Sequence, residues 1–353
     1  MTIYIMNLIM IGLYSIGYNT IRPNFKNSHK LKKFFVSLAT IQLILILSFR
    51  QITIGVDVAG YINNFKYTFS TYNLEQILHH HWEIGFKFLV KVISLFTNNE
   101  QIFLSVLAIL SIVPVGRFIY KNSKMPFLSF ALYISFNYYS FVFSGLRQAI
   151  AYAIILNSYD FIKDKKPVKF TICVLLASLF HKSALVFLVA YFLVKLRLNK
   201  VTISIILLIN TFIFIFRVRI YEVASRLFYE AYEVAESSSF TWMLLCSFIV
   251  ICGLLVYKKV VSFSQDNNAL YILLIVGSSL MIFASVGTNV MRVADYYYMF
   301  VIIFIPEIIT ALRDKFMVIM STYILIIFTF ILYFWFLTID GFQITPYQFF
   351  WEM

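Results

Sequence analysis

The stretch FMVIMSTYILIIFTFILYFWFLT at residues 316–338 runs for 23 positions without a charged residue. An α-helix rises about 1.5 Å per residue, so roughly 20 such residues cross the ~30 Å hydrocarbon core of a bilayer. Similar apolar runs recur near 2–20, 33–50, 84–97, 101–119, 126–143, 146–162, 168–194, 201–217, 240–257, 268–287 and 295–311. Lipid offers the backbone no hydrogen-bond partner, so these runs are expected to be helices. The whole chain is 61% hydrophobic and 13% charged, more apolar surface than a soluble domain of 353 residues can hide. The expected fold is therefore all-α: a polytopic integral membrane helical bundle, with residues 1–353 forming one transmembrane domain.

Two runs need a different treatment. The 84–97 run is short and carries Lys87 and Lys91 on one side of a helix. It reads as an interfacial or re-entrant helix, so that 51–100 becomes an extracytoplasmic loop plus that helix. The 168–194 run is long for one span and has Phe180-His181-Lys182-Ser183 at its middle. It reads as two short helices meeting at His181-Lys182.

The net charge of +13 is not a nucleic-acid signature, because Lys and Arg sit in short loops between apolar runs. With loop 21–33 inside, the loops around 117–125, 163–169, 195–200, 258–259 and 313–315 also fall inside and together hold 19 of the 29 basic residues. That layout has about 12 crossings (11–14), both termini outside, at roughly 20 residues per span. The 217–239 segment then reads as an extracytoplasmic amphipathic element. Residues 2–20 lack a basic flank and read as a first span, not a cleaved signal. Cys173, Cys246 and Cys252 lie inside apolar runs and are expected to stay unpaired.

The informative residues are those that break the inside rule. Arg50, Arg147 and Arg292 fall at the outer membrane boundary in this layout. An ionisable group there is costly unless it pairs or touches water. Arginine stays protonated and matches phosphate oxygens bidentately, so a converging set suits a pyrophosphate. The alternatives are snorkelling or a local ion pair such as Arg292 with Asp295. Asp57 and Glu83 lie on the same face, where a carboxylate in a partly dry site accepts a proton from a hydroxyl. Asp57 also suits a helix cap, and Glu83 suits the start of the 84–97 helix. His181-Lys182 places an acid–base group and a cation inside an apolar run. His79, His80 and His81 are consecutive and do not converge on one ion, so no metal is expected.

Missing motifs narrow the field further. The chain has no Walker A sequence, no Gly-x-Gly-x-x-Gly fingerprint, no Gly-x-Ser-x-Gly elbow and no His-Glu-x-x-His helix. It has no cytosolic segment long enough to bind a nucleotide sugar, so a donor must come through the membrane or be membrane-tethered, and no cofactor is expected.

The motifs Arg50, Gly55-x-Asp57-x-x-x-Tyr61, Glu83-x-Gly85-Phe86, Gly145-x-Arg147-Gln148-Ala149-Ile150 and Phe180-His181-Lys182-Ser183-Ala184 occur in this order over residues 45–190. The set resembles the EpsG family of Wzy-like bacterial polysaccharide polymerases. It departs at Ile84, where the family often has proline. The resemblance implies a membrane glycosyltransferase of GT-C-like architecture in the bacterial cytoplasmic membrane, acting at its outer face. Its substrate would be an oligosaccharide repeat unit on undecaprenyl pyrophosphate, joined into an O-antigen, capsule or exopolysaccharide. A flippase and a chain-length regulator of the same pathway would be its partners. In that reading Asp57, Glu83 and His181 are the catalytic candidates. Arg50, Tyr61, Arg147, Gln148, Lys182 and Arg292 bind pyrophosphate or sugar. A lipid-linked oligosaccharide flippase, an ion-coupled transporter and an O-antigen ligase-type transferase are the competing functions. A flippase needs charge along a central cavity, and here the charges gather at one face.

Overall fold

The computed structural model describes residues 1–21, 28–228, 240–264, 266–312 and 314–352, and its regular structure there is helical. Arg22 and Lys26 of the first basic loop, Arg313, and residues 229–239 of the expected amphipathic segment lie outside the described residues. Among the described residues six helices are long and apolar enough to cross a membrane: Ser28–Ser48, Glu100–Asn122, Lys200–Val223, Asn267–Ser285, Val290–Thr310 and Lys315–Ile339. A seventh results if Phe240–Leu255 and Tyr257–Phe263, bent by 69°, count as one span.

The remaining apolar runs are shorter or interrupted. The 126–143 run breaks at Asn137, whose φ of 65° is left-handed, between the helices Pro126–Ser135 and Tyr138–Phe141. Asparagine tolerates that conformation because its side chain bonds locally. The 168–194 run is a helix over Pro167–Ser178, a 3₁₀ helix over Lys182–Val189 and a short turn Ala190–Leu193. The 84–97 run is a 13-residue helix, Ile84–Phe96, about 20 Å long and shorter than a bilayer core.

The chain forms two compact units, residues Met1–Leu185 with Leu312–Met353, and Val186–Ala311. In the second unit, Asn267–Met281 packs on Thr288–Tyr298 and on Phe240–Leu255. In the first, Ser28–Ser48 and Leu146–Lys163 pack on Glu100–Asn122, and Lys315–Ile339 packs on Pro126–Ser135. Asp160, buried near the end of Leu146–Lys163, is 2.8 Å from Lys121 Nζ and 3.8 Å from Arg117 Nη2. Those cations offset the cost of a carboxylate among apolar helices.

Residues 58–96 of the first unit fold into a knot of short helices. Val58–Asn63 continues into a π-helical turn, Asn64–Phe69. The helix Leu74–His79 follows, started by a capping box in which Gln76 N donates to Asn73 Oδ1 and Asn73 N to Gln76 Oε1, both at 2.9 Å. Phe65 stacks on Phe103 at 4.4 Å, and Phe69 on Trp82 at 5.4 Å, giving the knot a core. Lys87 and Lys91 are not free interfacial charges. Lys87 Nζ donates to Leu78 O (2.8 Å) and His80 O (3.0 Å), and Lys91 Nζ to Phe69 O (2.9 Å) and Tyr72 O (3.0 Å). Each ammonium satisfies orphan carbonyls at the end of a neighbouring helix.

Candidate functional site

The loop between Leu74–His79 and Ile84–Phe96 carries His80-His81-Trp82-Glu83. The structure joins it to the break in the 168–194 run through one carbonyl. Leu179 ends the Pro167–Ser178 helix, and its O accepts from Gly85 N (2.8 Å) and Phe86 N (3.3 Å) in the first turn of Ile84–Phe96. Orphan donors of one helix thus meet an orphan acceptor of another. The approach requires glycine: a Cβ on Gly85 would lie 2.8 Å from Leu179 Cβ and 2.9 Å from its O. Gly85→Ala is expected to open this joint and destabilise the protein by about 1–3 kcal/mol, as overpacking does. A lowered thermal midpoint of the purified protein in detergent checks this.

The joint brings four segments together. Glu83 Oε2 is 2.5 Å from Arg147 Nη1. Its Oε1 accepts from Lys182 N at 3.3 Å and lies 3.2 Å from His181 Nδ1, off the line of a well-formed hydrogen bond. Arg147 Nε donates to Tyr61 Oη at 3.2 Å, and the guanidinium sits 5.8 Å from the Trp82 ring and 5.9 Å from the Tyr61 ring. The aromatic faces favour the cation and leave its remaining N–H groups for another acceptor. Glu83 is buried, whereas Arg147 and His181 are partly open, with side chains 23% and 26% exposed.

Burial alone would raise the Glu83 pKa. The His181 imidazole and the Arg147 charge outweigh it and hold the carboxyl down at about 2. Such a group is ionised at any physiological pH and is a weak base. Burial and the neighbouring His81 ring also lower the His80 pKa, to about 4, which for an imidazole favours the neutral form. Its Nδ1 accepts from Trp82 N (3.3 Å), so its Nε2 carries the proton and donates to Asn64 Oδ1 (3.0 Å). His80 is thus a neutral brace that fixes the loop holding Trp82 and Glu83.

The other sequence-derived candidates take different places. Asp57 is exposed at the N-cap position of Val58–Asn63, and its carboxylate makes no cap bond. Its carbonyl accepts from Tyr61 N at 3.3 Å, one turn from the cluster. Lys182 reaches Glu83 through its backbone amide, while its side chain is exposed. Gln148 is buried and donates to Tyr152 Oη (2.9 Å) in its own helix. Arg50 is 1% exposed; it donates from Nη1 to Phe143 O (2.8 Å) and lies 4.9 Å from the Phe143 ring. Arg292 belongs to the second unit, where its charge acts on Asp295 three positions along the same helix. Trp82 and Gly85 escaped the sequence reading as contributors to the cluster, although both flank Glu83.

A family model described as the EpsG family matches residues 33–349. No curated protein and no solved structure matches the chain.

Proposed function

The chain belongs to the EpsG family, the family of Wzy-like polysaccharide polymerases, and on that premise we propose that it polymerises oligosaccharide repeat units carried on undecaprenyl pyrophosphate. In this reading it is a GT-C-like glycosyltransferase with about 12 crossings at roughly 20 residues each. It lies in the bacterial cytoplasmic membrane with its site facing outward. A flippase delivers its substrate and a chain-length regulator limits its product. The observation that carries the reading is the meeting of Arg147, Glu83, Tyr61 and His181 from four separate segments.

The chemistry follows from those groups. A hydroxyl of one lipid-linked unit attacks the anomeric carbon of the growing chain. A C–O bond forms there, and the C–O bond to the chain's pyrophosphate breaks. Negative charge grows on the leaving pyrophosphate, and the open edge of Arg147 with the Lys182 ammonium stabilises it. The hydroxyl proton passes to His181 Nε2, the ring nitrogen opposite the Nδ1 that lies 3.2 Å from Glu83 Oε1. Glu83, bonded to Arg147 and Lys182 N, orients the guanidinium and faces the imidazole at 3.2 Å. Asp57, exposed beside Tyr61, is the second acceptor for that proton.

The test is a surface-polysaccharide gel from the native host. Deleting the gene should collapse the ladder to a single capped repeat unit, and the wild-type gene should restore it. Loss of even the single unit would favour the flippase or ligase reading, and an unchanged ladder would end the proposal.

A further inference from the structure

The Lys315–Ile339 helix ends in a turn, residues 340–345, built on two left-handed non-glycine residues, Asp340 (φ 46°) and Gln343 (φ 51°). Such conformations cost free energy and persist only where other contacts hold them. Here the Asp340 carboxylate holds the turn. It accepts from Ile344 N (2.7 Å), Thr345 N (3.0 Å) and Thr345 Oγ1 (2.5 Å). The carbonyls so presented face two distant segments. Gln343 O accepts from Gly55 N (3.1 Å), and Phe342 O from Val56 N (3.2 Å) and Ser144 Oγ (3.3 Å). Ser144 Oγ in turn accepts from Val56 N at 3.0 Å. The Phe342 ring packs edge-on against Phe141 at 5.7 Å. Gly55 is left-handed at φ 107°, and a Cβ on it would lie 2.9 Å from Phe143 C, so the 55–56 backbone is pressed onto 143–144 beneath the turn.

The bonded residues immediately precede the site. Val56 is followed by Asp57, and Ser144 comes three positions before Arg147. Further along the tail, Gln51 N donates to Gln348 O (2.9 Å) and Phe350 N to Phe49 O (2.9 Å), which fixes the far end. We propose that residues 340–345 are a strap, locked by the Asp340 carboxylate, that sets the register between the segment bearing Asp57 and the segment bearing Arg147. Asp340 touches neither residue of the site and is a positioning residue. The activity arm of its test rests on the polymerase reading above; the exchange arm does not.

The experiment compares the full-length wild type with Asp340→Asn and Asp340→Ala in detergent. Amide hydrogen exchange is followed at Gly55 and Val56 together with turnover on a lipid-linked repeat unit. The alanine variant loses all three acceptor contacts, so exchange at Gly55 and Val56 should rise at least tenfold, with amides of the Glu100–Asn122 helix unchanged. Turnover should fall on the order of tenfold at a temperature well below an unmoved thermal midpoint, since small misplacements of reacting groups are costly. Asparagine keeps one acceptor and should fall between the two. Unaltered protection of Gly55 and Val56 in Asp340→Ala would overturn the strap, and so would a turnover loss that merely tracks a lowered midpoint. A wild type that turns over no repeat unit, with the exchange result intact, would overturn the polymerase reading and leave the strap standing.

Discussion

Replacing Arg147 by alanine is expected to abolish polymer while the protein still accumulates in the membrane. The guanidinium does two things at once in the proposed site. It pairs with Glu83 and it offers its free edge to the leaving pyrophosphate. Losing a donor that acts on developing charge costs on the order of 10²–10³ in rate. Losing the partner of a buried carboxylate adds a structural penalty, because Glu83 keeps its charge without compensation. Arg147→Lys should recover only a small part, since an ammonium cannot bond Tyr61 Oη and Glu83 Oε2 in one plane and still present a third donor. A polysaccharide gel, normalised to membrane protein by immunoblot, measures both. Full-length polymer from Arg147→Ala would remove this residue from the mechanism.

The second large effect is a pH dependence of stability carried by Glu83. Its folded pKa of about 2 lies below the ordinary 4.5, so folding favours the ionised form. The resulting stabilisation is present in full above about pH 5 and is lost as the pH falls through 4.5 toward 2. It is on the order of 2–3 kcal/mol for a largely buried group. The wild type in detergent should therefore lose thermal stability between pH 5 and about pH 3, and Glu83→Gln should show a flatter curve there and a lower midpoint at pH 7. Curves of equal slope would mean that Glu83 is not held as an ion by Arg147 and His181. In the proposed mechanism the same low pKa suits Glu83 to orientation better than to proton transfer.

Much of this architecture is written in local pattern. The uncharged run at 316–338 has few options in lipid other than helix, and it is one. The polar pair His181-Lys182 marks a break, and the 3₁₀ helix begins there. The break at Asn137 was not legible, because no glycine or proline announces it and a left-handed asparagine looks like any other polar residue. That is one reason why counting apolar runs gives more crossings than there are long straight apolar helices. Arg147 and Glu83 stand out in the sequence as charges at a membrane boundary, and His181 as a polar group inside an apolar run. Their pairing was not legible, because it depends on the Gly85 amide finding the Leu179 carbonyl, a contact across 94 positions that leaves no periodic trace. Arg50 shows the opposite case. It shares the outer-boundary placement of Arg147 in the sequence reading, yet its guanidinium is buried, donating to Phe143 O and lying against the Phe143 ring. The carbonyl partners of Lys87 and Lys91 are equally invisible to side-chain pattern, since backbone acceptors are the same at every position.

The proposed reaction is glycosyl transfer between two lipid-linked units. It is tested most directly by purified protein in liposomes supplied only with the repeat unit on undecaprenyl pyrophosphate. The expected product is a ladder at whole multiples of the unit, with one undecaprenyl pyrophosphate released per linkage and no ladder from Arg147→Ala. Repeat units that cross the bilayer or stay single, with no pyrophosphate lipid released, would contradict it.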